Sequence, residues 1–120
     1  MTYAQMKDIL QSIDDPVMRL EMVMDFGAHA PDVPRDAVCN DIVGCASHVE
    51  ICRVGNRFYG RADSAIVRGI VAIITAMVDG HTPDQIKKMN LADEFSGLKL
   101  GLGAGRLAGV NSMIRFLENL

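Results

Sequence analysis

The sequence predicts an α+β fold in which helices pack on a small antiparallel sheet of about three strands. Apolar residues recur at helical spacing near the beginning and the end of the chain. The middle alternates polar and apolar residues around a hairpin signal, and a helix that is apolar on nearly every side follows it. Helices on both sides of a short run of strands are typical of α+β proteins.

The first part of the chain predicts two helices and a linker. The first helix covers Tyr3–Ile13, where apolar residues recur every three or four positions. An aspartate before Pro16 can cap the second helix, and Gly27 is its predicted end. Ala28–Asp36 holds two prolines and is therefore expected to be an extended linker.

The middle of the chain predicts the sheet. Ile42-Val43 is the expected first strand and leads into a turn at Gly44-Cys45. Ser47–Val54 alternates as a strand does. Gly55-Asn56 is a two-residue hairpin signal, and Arg57–Arg61 is the expected return strand.

The last part predicts three helices. Asp63 or Ser64 can cap a helix that runs through Val78 and, being apolar nearly all round, is expected to be the central buried helix. Thr82–Gln85 has the pattern of a capping box with a proline at the first helical position. The last helix is predicted over about Ala104–Asn119.

Length and composition narrow the function classes. The 120 residues fit one domain, residues 1–120. The net charge of −3 lacks the excess of basic residues that is typical of nucleic-acid-binding proteins. No apolar run is long enough to span a bilayer, and the first residues lack the layout of a signal peptide. The three cysteines have no disulfide-framework spacing, which favours free thiols in a reducing compartment. We therefore expect a cytoplasmic protein.

Cys45 is the first candidate for chemistry. It follows Gly44 at the expected tip of a strand-turn-strand unit and lies between small residues. The reactivity of a thiol depends on its thiolate character and its access, and a cysteine on such a tip can be reached by a thiol of another protein. If Cys45 carries the function, the protein handles sulfur.

The sequence around Cys45 resembles the SufE family of sulfur-acceptor proteins, which work with cysteine desulfurases in iron–sulfur cluster assembly. The central motif is Asn40-Asp41-Ile42-Val43-Gly44-Cys45-Ala46-Ser47-His48-Val49. Further segments follow the family pattern in order over roughly Arg19–Leu117, and the ordered set is specific. They are Met24–Gly27, Pro31–Pro34, Gly60–Asp63, Ala65–Gly69, Thr82–Ile86, and Arg106 with Gly109 and Met113.

The resemblance implies a SufE/IscU-like fold and a persulfide relay. A pyridoxal-phosphate-dependent cysteine desulfurase would be the partner, Cys45 would accept its sulfur, and a downstream iron–sulfur scaffold would receive it. The chain would then have no cofactor of its own and would be a persulfide-carrying activator of the desulfurase rather than a stand-alone enzyme. Arg106 would lie near the Cys45 loop and support the thiolate, and Asp63 would support the loop while capping the central helix.

Several residues near Cys45 depart from the family pattern, and one of them, His48, is a weaker candidate for a part in the chemistry of Cys45. Glu50 stands where family members usually have tryptophan, and we expect this to alter partner contact rather than chemistry. Cys39 and Cys52 are additional thiols, interpreted as a linker residue and a small strand residue. His48 could help to ionise Cys45, although a half-exposed strand histidine is the simpler interpretation.

Two other functions stay open at this point. Cys39, Cys45, His48 and Cys52 could form a metal or cluster site of an IscU-type scaffold, but their C-x5-C-x2-H-x3-C spacing matches no common zinc pattern. The chain could also be a non-catalytic interaction module in which Cys45 is incidental. Retention of activity by a Cys45→Ser variant would favour the module, and bound metal would favour the scaffold.

Overall fold

The computed structural model describes residues 1–120 and confirms the α+β class. Two helices come first, three strands form the middle, and four helices follow. In chain order these are α1 Tyr3–Gln11, α2 Pro16–Ala28, β1 Val38–Asp41, β2 Val49–Val54, β3 Arg57–Ala62, α3 Ala65–Val78, α4 Pro83–Lys87, α5 Leu91–Gly97 and α6 Ala104–Glu118.

The strands form one antiparallel sheet in the order β1-β2-β3. Val54 pairs with Arg57 around the predicted two-residue hairpin. The prediction for the first strand was wrong, because Val38–Asp41 and not Ile42-Val43 pairs in register with β2. Cys39 therefore lies in a strand and not in the linker.

Helix α3 occupies the centre of the hydrophobic core, as its apolar sequence predicts. Nine of its residues are buried, and the core cluster contains 24 buried side chains drawn from helices and sheet. The buried hydroxyl of Thr75 donates a hydrogen bond to the Val71 carbonyl oxygen at 2.8 Å, so it leaves no unsatisfied polar group. None of the helices has the length and apolar character required to cross a membrane.

Three local expectations need correction. Ser64, and not Asp63, caps α3, because its hydroxyl accepts a hydrogen bond from the Val67 amide. Gly27 lies inside α2, where it packs against α3, and does not end the helix. Helix α5 was not predicted: it has only seven residues, and Asn90, the residue before its first turn, has a left-handed backbone conformation and makes no side-chain cap.

Candidate functional site

Cys45 lies in the loop that joins β1 to β2, residues 42–48, which we call the Cys45 loop. The base of the loop is closed by a hydrogen bond from the Ile42 amide to the Val49 carbonyl oxygen at 2.9 Å. Gly44 has φ +99°, a conformation that a residue with a side chain adopts only under strain. The glycine therefore makes the turn that sets Cys45 at the tip.

The tip of the Cys45 loop rests on helix α6. The Cys45 thiol donates to the Gly109 carbonyl oxygen across 3.6 Å. A β-carbon built on Gly109 would lie 3.3 Å from the cysteine sulfur, and one built on Gly44 would lie 2.5 Å from the Ser112 hydroxyl. Glycine at both positions thus permits a close approach between the loop and the helix.

Burial against α6 has an electrostatic consequence for Cys45. The residue is half-buried, and this burial raises the pKa of its thiol. Removal from water disfavours the thiolate, which is the nucleophilic form. This conformation therefore favours the neutral thiol of Cys45 over its thiolate.

This raised pKa predicts the pH dependence of Cys45 alkylation in the isolated protein. Because the fold favours the neutral thiol, the rate of reaction with iodoacetamide should rise with pH around a midpoint above the ordinary thiol pKa of about 8.5. The midpoint should return to the ordinary range when the same protein is unfolded in urea. A native midpoint equal to or below that of the unfolded chain would contradict the burial argument.

Arg106 and Asp63 approach the Cys45 loop in different ways. Arg106, Gly109 and Ser112 recur at intervals of three along α6, so Arg106 lies one turn before the Cys45 contact on a neighbouring face. Its side chain is exposed and makes no salt bridge or side-chain hydrogen bond. Asp63 reaches the loop through its backbone, because its amide donates to the His48 carbonyl oxygen at 3.3 Å.

His48 faces one carboxylate on β2, which directly follows it, and one on the neighbouring strand β1. Its Nε2 lies 3.5 Å from Glu50 Oε1 and 3.8 Å from Asp41 Oδ1. Arg61 pairs with the other Glu50 oxygen at 3.2 Å, and this hydrogen bond is the main reason that the pKa of Glu50 is lowered. Glu50, which replaces the usual tryptophan, is thus part of a charged cluster.

Cys39 and Cys52 form a disulfide, which corrects the expectation of three free thiols. They lie directly opposite each other in β1 and β2. Two groups of potential metal ligands meet on these strands, Cys39/Glu50/Cys52 and Asp41/His48/Glu50, and neither includes Cys45. The structure therefore does not bring together the four-residue set Cys39, Cys45, His48 and Cys52, and Cys45 is the one free cysteine.

Two exposed apolar side chains, one in the Cys45 loop and one on α6, were not singled out from the sequence. Val43 is 88% exposed in the loop itself, and Leu107 is 43% exposed on α6 next to Arg106. The signal in the sequence was weak, because each of them fits an ordinary strand or helix pattern.

A comparison with protein families decides the relationship of this chain to known proteins. The SufE model, described as an Fe-S metabolism associated domain, matches residues 4–120. The chain belongs to the SufE family. The resemblance seen around Cys45 is thereby confirmed over nearly the whole length, and the SufE-family chain is associated with iron–sulfur metabolism.

Individual relatives agree with this assignment. The chain is 30% identical to an uncharacterized SufE-like protein of Rhizobium meliloti, over 96% of this chain and 91% of that protein. A SufE-like protein of Rhizobium etli is 29% identical over 92% and 83% of the two chains. A chloroplastic quinolinate synthase of Nicotiana tabacum is 28% identical over 84% of this chain but only 14% of its own length.

A solved structure supports the fold. The solution structure of a hypothetical protein from Thermus thermophilus superposes with a TM-score of 0.71 over 99% of this chain and 94% of that one. The sequence identity between the two chains is 14%, so this structural similarity supports the fold alone.

Proposed function

We propose that this SufE-family protein binds a cysteine desulfurase, accepts sulfane sulfur on Cys45 as a persulfide, and relays it to iron–sulfur cluster assembly. The observation that carries the proposal is the state of the three cysteines. Cys39 and Cys52 are bonded to each other, and the remaining thiol, Cys45, is in the loop that carries the family motif.

The transfer of sulfane sulfur to Cys45 follows the mechanism of thiol–disulfide exchange. The Cys45 thiolate attacks the outer sulfur of a persulfide on the desulfurase. The bond between that sulfur and the desulfurase cysteine breaks, the desulfurase cysteine leaves as a thiolate, and Cys45 becomes the persulfide. A scaffold thiolate can then attack the outer sulfur of Cys45 in the same way, so each transfer regenerates a thiol without an external oxidant.

The resting position of Cys45 implies that the loop must open for this reaction. The sulfur is half-buried and its carbonyl partner, Gly109, belongs to α6, so an incoming persulfide lacks full access. Opening the loop returns the thiol to water, and its pKa falls toward the ordinary value. The desulfurase would favour the open state by binding Val43 in the loop and Arg106 on α6.

Mass analysis of the intact protein tests the proposal. The protein is incubated with a pyridoxal-phosphate-dependent cysteine desulfurase and L-cysteine, and its mass is measured before and after treatment with dithiothreitol. We expect one added sulfur atom, mapped to the Cys45 peptide and removed by dithiothreitol. Absence of added sulfur at a desulfurase concentration that saturates stimulation would refute the relay.

Arg106 should act in docking. Because its guanidinium is exposed and unpaired, Arg106→Ala should raise the half-saturating concentration for desulfurase stimulation by roughly fivefold, the scale of an exposed charge contact of about 1 kcal/mol. The maximal rate and the alkylation profile of isolated Cys45 should stay unchanged. Enzyme titrations and a pH series of iodoacetamide reaction measure these quantities.

Arg115→Ala is the matched control, because Arg115 is exposed at the other end of α6. It should leave the half-saturating concentration unchanged. If Arg106→Ala instead shifted the alkylation midpoint of Cys45 upward, Arg106 would support the thiolate directly, as the family resemblance suggested.

A further inference from the structure

The disulfide between Cys39 and Cys52 joins two strands that lead directly to the Cys45 loop. The cysteines occupy opposite positions in β1 and β2, and two residues further along Asp41 pairs with Glu50 at the edge of the loop. The two cysteines are 13 positions apart in the sequence, and the whole Cys45 loop lies between them. The chain from Cys39 to Cys52, closed by the disulfide, therefore forms a covalent ring that contains Cys45.

Strand β1 depends strongly on this bond. It has only four residues, lies at one edge of the sheet, and none of its side chains is fully buried. Its packing contributes little hydrophobic stabilisation, so its hydrogen bonds to β2 and the disulfide hold it in place. Without the disulfide, an edge strand of this kind opens locally more often.

The two sulfurs differ in access and in charge environment. Cys52 is completely buried, whereas Cys39 is half-exposed, so a thiol from solution can attack only the Cys39 sulfur. Arg61 Nη1 lies 3.9 Å from Cys39 Sγ while it also pairs with Glu50. A guanidinium beside a sulfur stabilises its thiolate, although the Glu50 carboxylate offsets part of that charge.

We propose that Cys39 and Cys52 form a redox-active pair in which Cys39 is the exchanging sulfur, and that its redox state controls how often the Cys45 loop opens. The reductant is a dithiol. Its thiolate attacks Cys39 Sγ, the Cys39–Cys52 bond breaks, and Cys52 leaves as a thiolate that takes up a proton. The second thiol of the reductant then attacks the mixed disulfide, releases Cys39 as a thiolate, and oxidises the reductant to a disulfide.

The consequence for Cys45 follows from the covalent ring. The oxidised pair restricts the chain on both sides of the loop, and reduction restores conformational freedom to β1 and to residues 42–48. The Cys45 sulfur should therefore leave its contact with Gly109 more often in the reduced protein. Alkylation of Cys45 measures this opening in the absence of a desulfurase. The result therefore tests the redox control of the loop separately from the proposed sulfur transfer.

Glutathione exchange on a Cys45→Ser protein tests the identity of the exchanging sulfur. This variant retains only the pair, so peptide mapping after acid quenching should find glutathione on Cys39 and none on Cys52. Arg61→Gln should slow reoxidation of the reduced pair by glutathione disulfide several-fold. The variant lacks the guanidinium that stabilises the Cys39 thiolate, so less of Cys39 is in the nucleophilic form. Arg57→Gln, on the same strand and paired with Asp79 instead, is the matched control and should not slow it.

Glutathione found on Cys52 would overturn the assignment of Cys39. Equal reoxidation rates in the Arg61 and Arg57 variants would overturn the role of Arg61. A disulfide that resists dithiothreitol as long as the protein stays folded would show that the pair is structural and would overturn the proposal.

Alkylation of Cys45 tests the coupling. Oxidised wild type and Cys39→Ala/Cys52→Ala each contain Cys45 as their one thiol, so iodoacetamide reports the same site in both. We expect the double variant to react at least about threefold faster, because it lacks the ring constraint. Equal or slower reaction in a folded double variant, judged by circular dichroism, would overturn the coupling. If the double variant does not fold, the Cys45 peptide of reduced wild type, quantified by mass spectrometry, provides the same comparison.

Discussion

A Cys45→Ser variant should lose sulfur uptake and desulfurase stimulation down to the background without acceptor. The serine hydroxyl is not ionised near neutral pH, so no nucleophile replaces the thiolate, and the other two sulfurs are bonded to each other. The side chains have nearly the same shape, and Cys45 is only half-buried, so the fold should survive. Intact-mass analysis and desulfurase assays with L-cysteine measure both losses.

The control for this prediction is Cys39→Ala/Cys52→Ala, which removes the other two sulfurs. It should still take up one sulfur atom on Cys45 and should retain most of the stimulation. Full stimulation by Cys45→Ser, with its binding to the desulfurase intact, would instead favour an interaction module in which the thiol is incidental. Sulfur uptake lost only in the double variant would place the acceptor thiol at Cys39 or Cys52, after reduction of their disulfide.

A Gly69→Ala variant should lose about 3 kcal/mol of folding free energy. Gly69 lies in α3 where α2 crosses it, and a β-carbon there would lie 2.0 Å from the Val23 carbonyl oxygen. A β-carbon on Gly27 would likewise lie 2.6 Å from the Gly69 backbone nitrogen. The obstacle is backbone, which cannot rotate away, so the helices must separate and the cost of overpacking exceeds the gain of roughly 1 kcal/mol from alanine in a helix.

Urea unfolding followed by circular dichroism measures this loss as a lower transition midpoint. Gly105→Ala is the matched control, because Gly105 is also helical and has nothing within 4 Å of the position of its β-carbon. It should be neutral or stabilise the protein by a few tenths of a kcal/mol. A Gly69→Ala loss below about 1 kcal/mol would mean that α2 and α3 can move apart at little cost.

Much of the architecture could be predicted from local patterns. The capping box at Thr82 and Gln85, the hairpin at Gly55-Asn56 and the apolar α3 all occur where the sequence indicates them, because each depends on residues close together in the chain. The position of Cys45 in a loop between two strands is also a local property. The family motif around it is visible in the sequence for the same reason.

Other features depend on contacts between distant residues, and the sequence could not decide them. Ser64 and Asp63 are equally good caps by residue type, and only the backbone geometry selects Ser64. Gly27 suits a helix end by its residue type, whereas its close approach to Gly69 shows that it is a packing residue. The register of β1 determines that Cys39 faces Cys52, and a shift by one residue would have left both thiols free.

From the sequence alone we infer the α+β class, the SufE family and Cys45 as the candidate acceptor, because these follow from short-range patterns and an ordered set of motifs. The contact between Cys45 and Gly109, and the raised pKa of this thiol, are seen only in the three-dimensional arrangement of the chain. The same holds for the disulfide that joins the strands on either side of the loop. Burial and cross-strand pairing depend on contacts between residues that are distant in sequence. Residue type alone does not specify which of these contacts form.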